Sequence, residues 1–232
     1  MLTEAVEAHS RDELGVLVVW IPMLASDNEE TARQAATMFA DSGVKQFYDA
    51  NRLGGIAYSR DLFHVRFGDA IEALPAGHFL RDPLAQARDA KPEQMPMWDA
   101  ALFYPAGVEW GDTAPRTDRW SKQVMFFGSA RPDGVTGTFW VDTLEPTLVD
   151  SDWFTEIRRI TAGLPGKKSP DQTAAQVPSV GPPSAGLARP NCAAAPTAPV
   201  EVTSLAESLD SLKAHFNKAN GRHRFVALLS PT

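Results

Sequence analysis

Directly behind a helix-stop signal, Lys218-Ala-Asn-Gly221, the chain carries a short uninterrupted apolar run, Phe225-Val-Ala-Leu-Leu229. An unbroken run of this kind describes a strand covered on both faces, whereas a half-solvated strand alternates apolar and polar residues. Such a strand belongs in the middle of a sheet that carries helices on both sides, which already selects an α/β architecture. In open α/β sheets chemistry collects at the carboxyl ends of the strands. Ser230, Pro231 and Thr232 are therefore a predicted site edge. The segment Gly15-Val-Leu-Val-Val-Trp20-Ile-Pro-Met-Leu24 is a second run of the same type, closed by Pro22. It also reads as a buried parallel strand. Trp20 and Pro22, at its carboxyl end, join the predicted edge.

The rest of the chain supplies the helices such a sheet needs. Ser26-Asp-Asn-Glu29 reads as a capping box, with Asp27, Glu29 and Glu30 favouring the positive end of a helix. Ala32, Ala35, Ala36 and Phe39 follow at helical spacing, and Gly43 stops the helix. Val44–Asp49 reads as a short second strand or an extended turn, and Arg52–Leu62 as a helix despite Gly54 and Gly55. The stretch from Phe63 to Pro92 reads as loop with some helix. Met97–Tyr104 predicts a strong strand closed by Pro105 and Gly107. Val124–Gly128 and Thr138–Asp142 flank a Pro132-Asp133-Gly134 turn, the pattern of an antiparallel hairpin. Ser151 or Asp152 caps a helix carrying Trp153, Ile157, Ile160 and Leu164 on one face. From Gly163 to Val200 eight prolines punctuate a stretch without aromatics or apolar periodicity. It reads as a disordered linker, because it offers too little apolar surface to offset chain entropy. Ser204-Leu-Ala-Glu207 reads as a second capping box, opening a helix with Leu205, Leu209, Leu212 and Phe216 on one face. The terminal strand follows it.

Charge and composition narrow the function classes. A formal charge of −7 and a pI near 5.2 argue against nucleic acid or an anionic membrane as partner, since both demand basic patches. No apolar stretch approaches the ~18 residues of a membrane-spanning helix. The acidic, helix-like start Met1-Leu-Thr-Glu does not read as a signal peptide, so the cytoplasm is the default expectation. The single cysteine, Cys192, excludes an intrachain disulfide, a CxxC pair and a cysteine-rich metal site within these residues. Its Ala/Pro-rich setting offers nothing to lower the thiol pKa.

Taken together, the elements resemble the thioredoxin-like fold family. The Val-Val-Trp-Ile-Pro-Met phrase and the Trp-Asp…Phe-Tyr strand are similar to redoxin-type sequences of bacterial thioredoxin-like proteins. The resemblance covers strand Val16–Ile21, helix Asp27–Ser42, strand Met97–Tyr104, hairpin Val124–Asp142 and helix Asp152–Gly163. It implies a three-layer sandwich with a central mixed sheet, a long Pro/Ala-rich linker, and a C-terminal helix–strand unit that is either the start of a further thioredoxin-like unit or the missing central strand of this sheet. Phe225–Thr232 is similar to the strand that leads into the CxxC motif of that family. Met1–Glu13, with Leu2, Val6 and Leu14 on one face, resembles the end of the helix that motif would head. The resemblance implies residues 1–163 as a thioredoxin-like domain without its first strand and motif, 164–202 as linker, and 203–232 as a helix plus strand. The catalytic residue, a cysteine or selenocysteine, is then expected immediately after Thr232. Three accounts stand open. The chain is a piece of a tandem-repeat protein, or a selenocysteine codon follows Thr232, or the chain is whole and its tail supplies the central strand of a permuted fold. The last expects the tail strand parallel beside Val16–Ile21. The resemblance further implies a protein disulfide or thiol as partner, with no cofactor. Pro96 occupies roughly the place of the family's cis-proline, although an X–Pro bond is trans by default.

Other residue groups carry weaker signals. His9, His64, His78, His215 and His223 show no metal-ligand spacing, so no metal site is predicted. The acidic groups at Asp27–Glu30 and at Asp150 and Asp152 sit at predicted helix N-termini, where capping explains them. Gly128–Gly137 follows no phosphate-loop pattern and reads as a hairpin turn. The six tryptophans read as core and boundary packing. Trp110 and Trp120 flank Gly111–Arg119 and offer an alternative groove. The function expected is that of a thioredoxin-like relative of the thiol–disulfide oxidoreductases that lacks redox cysteines of its own. A redox-inactive protein-binding module is the alternative, and an unrelated enzyme with its site in the Trp110–Trp120 loop is a third.

Overall fold

The computed structural model describes residues 14–40, 43–63, 72, 75–77, 81–82, 85, 89–117, 119–126, 137–142 and 200–231. The predicted helix over 152–164, most of the linker, the turn at 132–134 and residues 1–13 lie outside the described residues. The two unbroken apolar runs become β1 (Leu14–Trp20) and β7 (His223–Leu229). Between them come β2 (Lys45–Tyr48), β3 (Ala100–Tyr104), β4 (Arg119–Phe126), β5 (Gly137–Asp142) and β6 (Val202–Ser204). These form one mixed sheet in the order β5-β4-β3-β7-β1-β2-β6. The chain is thus α/β.

As its unbroken apolar pattern requires, β7 lies at the centre. It runs parallel beside β1, with Val16 opposite Phe225 and Val18 opposite Ala227. On its other side it pairs antiparallel with β3, Leu102 opposite Val226. The predicted tail-strand position beside β1 is the observed one. The predicted hairpin is also present, β4 pairing antiparallel with β5, although β4 starts earlier than expected.

Among the described residues, three α-helices lie on the faces. Helix α1 (Glu29–Ala36) continues as a 3-10 turn over Thr37–Phe39. Its cap differs from the expected one: Asn28 accepts from Thr31 N while the Thr31 hydroxyl accepts from Asn28 N. Asn28 wins over Ser26 because its side-chain oxygen stands three residues before a hydroxyl that can reciprocate. Helix α2 (Leu53–Tyr58) runs into a π-helical turn at Ser59–Phe63, within the span expected to be helical. Helix α3 (Asp210–Lys218) starts later than expected. Residues 202–204 pair parallel with β2, so Ser204 is the end of a strand and caps no helix. Ladder hydrogen bonds to Gln46–Tyr48 outweigh the local capping signal. Leu205 is still buried, in the connection between strand and helix.

The alternating side chains of β1 sort the core into two layers. Leu17, Val19 and Ile21 join Leu102, Val226, Leu228, Leu212, Phe216 and Trp110 on the face under α2 and α3. Val16, Val18 and Trp20 join Ala32, Ala36, Phe39, Phe103 and Phe225 on the face under α1. Trp110 and Trp120 are buried in the first layer, so the groove alternative gives way to core packing.

Candidate functional site

The carboxyl ends of β1 and β7 leave the sheet together, Ile21 N donating to Leu229 O at 2.8 Å. Pro22 removes the next donor and turns the chain into an exposed loop. Asp27 closes that loop. Its Oδ2 accepts Met23 N at 2.7 Å, Leu24 N at 2.8 Å and the Ser230 hydroxyl at 2.9 Å. One carboxylate oxygen therefore holds both strand exits. The expectation for Asp27 was helix-dipole stabilisation, but its carboxylate is directed to the preceding loop and to Ser230. Ser230 N reaches Asp99 Oδ1 at 3.4 Å, a long contact. Asp99 immediately precedes β3 and has φ of 45°, the left-handed region that non-glycine residues avoid. Strain of that kind persists only where neighbours over-determine it.

Two further elements frame this edge. The Pro96–Met97 segment, which leads to Asp99, is seated on α2: Met97 N donates to Gly55 O at 2.8 Å, and the Ser59 hydroxyl to Met95 O at 2.7 Å. Pro96 itself is buried, and no described peptide bond is cis, so the Met95–Pro96 bond is trans. At the carboxyl end of β2, Asp49 is fully buried and accepts Leu53 N at 2.8 Å and Gly54 N at 2.7 Å. Burial pushes its carboxyl pKa up, while the two amides and the nearby Arg52 pull it down. Asp49 N donates to Trp20 O at 2.9 Å, so this buried carboxyl group also anchors the end of β1.

The predicted edge residues divide accordingly. Ser230, Pro231 and Pro22 lie partly exposed at the edge, and Pro96 lies buried beneath it. The Trp20 backbone ends there, but its indole points into the core, donating to Gln46 Oε1 at 3.1 Å and packing against Phe39. Thr232 lies outside the described residues. Leu24 and Met95, two of the large apolar side chains left exposed, belong to the loops bordering this edge. Among the described residues the edge offers a hydroxyl, carboxylates and the thioethers of Met23 and Met95, and no thiol. Among the described residues no group of His, Cys, Asp or Glu could hold a metal ion, and no helix is long and apolar enough to cross a membrane.

At the opposite end of β7 stands a group that sequence reasoning missed. Arg224 is completely buried, yet it faces carbonyls and a ring. Its guanidinium donates to Val108 O at 2.6 Å, Pro105 O at 2.7 Å and, more weakly, Phe216 O at 3.3 Å. It also lies 4.3 Å from the centre of the Phe216 ring, a cation–π contact. Burial lowers its pKa without threatening its charge. Tyr104 and Tyr58 lie close by, and burial drives both phenols above their ordinary pKa. The only sequence signal was an arginine next to an apolar run, which reads equally as a strand flank. Comparison with models of protein families, with curated proteins and with solved structures finds no match for this chain.

Proposed function

We propose that this chain is a thioredoxin-like relative of the thiol–disulfide oxidoreductases, working through the carboxyl edge of β7 and β1. One observation carries the reading. The apolar strand β7 sits between a parallel partner, β1, and an antiparallel one, β3, which opens a hairpin. In the family this chain resembles, the strand that leads to the redox motif is flanked by a parallel strand and by an antiparallel hairpin. A reactive thiol or selenol would enter next to Ser230, above the loop that Asp27 closes and facing the Pro96 segment. A thiolate there would attack the disulfide of a protein partner, form a mixed disulfide and release one partner thiolate. A second thiol would then resolve the mixed disulfide. The trans bond at Pro96 departs from the family pattern.

The second reading, a redox-inactive binding module, is favoured by an edge whose described residues hold no thiol and by Cys192 as the sole cysteine. Insulin-disulfide reduction separates the two. The chain as it stands is expected to be inactive, and a version extended beyond Thr232 by a Cys-Xaa-Xaa-Cys segment is expected to turn over. Turnover by the unextended chain would contradict the proposal. An extended chain that folds and remains inactive would leave the binding module as the function.

A further inference from the structure

The loops that follow β1 and β2 part from each other at the carboxyl edge. The first leads to α1 on one face of the sheet, the second to α2 on the other. Neighbouring parallel strands whose exits diverge in this way leave a crevice between them, and open α/β sheets take up ligands there. Asp27 and Glu29 stand on the α1 side, while Tyr48 ends β2 and Asp49 follows it. Tyr48 is 8% exposed, and among the described residues its hydroxyl has no hydrogen-bond partner. Burial, followed by the charges of Glu29, Asp27 and Asp49, pushes its pKa up, so those carboxyl groups lie around the phenol. A cation entering among them would offset the charge and give the hydroxyl oxygen a donor.

Topology gathers acids at this end. Parallel strands hand over to their helices here, so the carboxylates that stabilise helix starts, Glu29, Glu30 and Asp210, collect at one edge. The opposite end of the same strands carries Lys45, Lys218 and Arg222 beside Glu201. The sheet is therefore negative where the crevice opens, a field that favours a basic partner. Glu29 is bonded to Arg33 at 2.6 Å, an exposed pair that a competing cation can displace. Arg52, the base on the second loop, is exposed and acts on Asp49. An apolar contact stands next to the acids. Leu24 is 57% exposed, and its amide donates to Asp27 Oδ2 at 2.8 Å.

We propose that this crevice docks a protein partner through a basic side chain set next to an apolar one. The lysine or arginine enters between Asp27, Glu29 and Tyr48, and its apolar neighbour packs on Leu24. An ammonium or guanidinium supplies donors for the phenol oxygen and positive charge for the carboxylates. An extended segment suits the surface better than a free amine does, because the acidic and apolar contacts lie side by side and a small cation would use only one of them. The docking surface does not depend on the redox reading and serves a binding module equally well.

The test is fluorescence anisotropy of a labelled peptide of alternating lysine and leucine titrated with the full chain, against a counterpart of glutamate and leucine. The lysine peptide should bind, more weakly as salt rises, and the glutamate peptide should not. Tyr48→Phe keeps the charge and the ring, and loss of the hydroxyl should weaken binding roughly tenfold, as for one hydrogen bond to a charged group. Leu24 is exposed, so Leu24→Ser tests the apolar half without touching the core and should also weaken binding. Glu201→Gln removes a carboxylate at the opposite end and should bind as the parent does. Amide shifts on binding should fall on the loops after β1 and β2. A parent that does not bind the lysine peptide would overturn the proposal. Tyr48→Phe and Leu24→Ser both binding as tightly as the parent would reduce it to diffuse attraction and overturn it too. Butylammonium displacing the peptide at concentrations equal to the peptide's own would do the same, because the site would then take a small cation.

Discussion

Helix α2 carries two adjacent glycines in its first turn that face different surroundings, and the difference predicts a measurable asymmetry. A Cβ on Gly55 would stand 2.8 Å from the Met97 carbonyl oxygen, 3.1 Å from Ile21 Cδ1 and 3.1 Å from Pro96 Cβ. The closest of these atoms is backbone, and Met97 is itself bonded to Gly55 O, so the segment cannot retreat without losing that bond. On Gly54 the nearest atom is Asp49 Oδ2 at 3.2 Å, with Leu209 and Val19 at 3.8 and 3.9 Å. Replacing a helical glycine by alanine gains up to about 1 kcal/mol of propensity. Overpacking a tight site costs about 1–3 kcal/mol. Gly54→Ala should therefore come out near neutral, and Gly55→Ala about 1–2 kcal/mol less stable than the parent. With a urea m-value of about 2 kcal/mol per M, the two midpoints should differ by roughly 0.5–1 M at unchanged slope. Gly55→Ala should also shift Pro96, raising amide exchange at Met97. A Gly55→Ala midpoint equal to or above that of Gly54→Ala would refute the claim that Pro96 is seated by backbone contact on α2.

Arg224→Met keeps the stem volume but removes the donors to the Val108 and Pro105 carbonyls, two half-buried contacts, at a combined cost of about 1–3 kcal/mol. Thermal unfolding should show a loss of several degrees, and Arg224→Lys should recover only part of it, since one ammonium cannot reproduce the planar fork; full recovery by lysine would show that charge alone suffices. Asp49 keeps its proton to higher pH in the folded chain than in the unfolded one, chiefly through burial. Between the ordinary carboxyl range and that raised value the folded state binds more protons, so stability falls as pH rises through the window. Asp49→Asn should accordingly gain stability relative to the parent from pH 4 towards neutrality in urea titrations, and a constant or shrinking difference would contradict the assignment.

Much of the architecture was legible because it rests on periodicity that is local in sequence. The unbroken runs in β1 and β7 could be satisfied only by burial on both faces, and the hairpin and the α1 alternation of alanines followed from spacing. Other features escaped because their causes are distant in sequence. Residues 202–204 read as the start of a helix, since Ser204 and Glu207 match a cap; only pairing with β2 makes them a strand. Asp27 read as a helix-dipole carboxylate, and only the arrival of Ser230 from the far end of the chain gives its oxygen a third donor. Asp49, Gly55 and Arg224 carried no signal, because each is defined by backbone atoms from another element.

The amino-acid sequence by itself determined that this is an α/β chain with two strands buried on both faces, and it named the edge where Ser230 and Pro22 stand. The tertiary structure decided the order of the strands, the antiparallel partner of β7 and the meeting of Asp27, Ser230 and Asp99. The physical reason is that the hydrophobic pattern states how much of a strand must be covered, with no reference to its neighbour. Hydrogen bonds between main chains then choose the neighbour, and they form only once the chain has closed on itself.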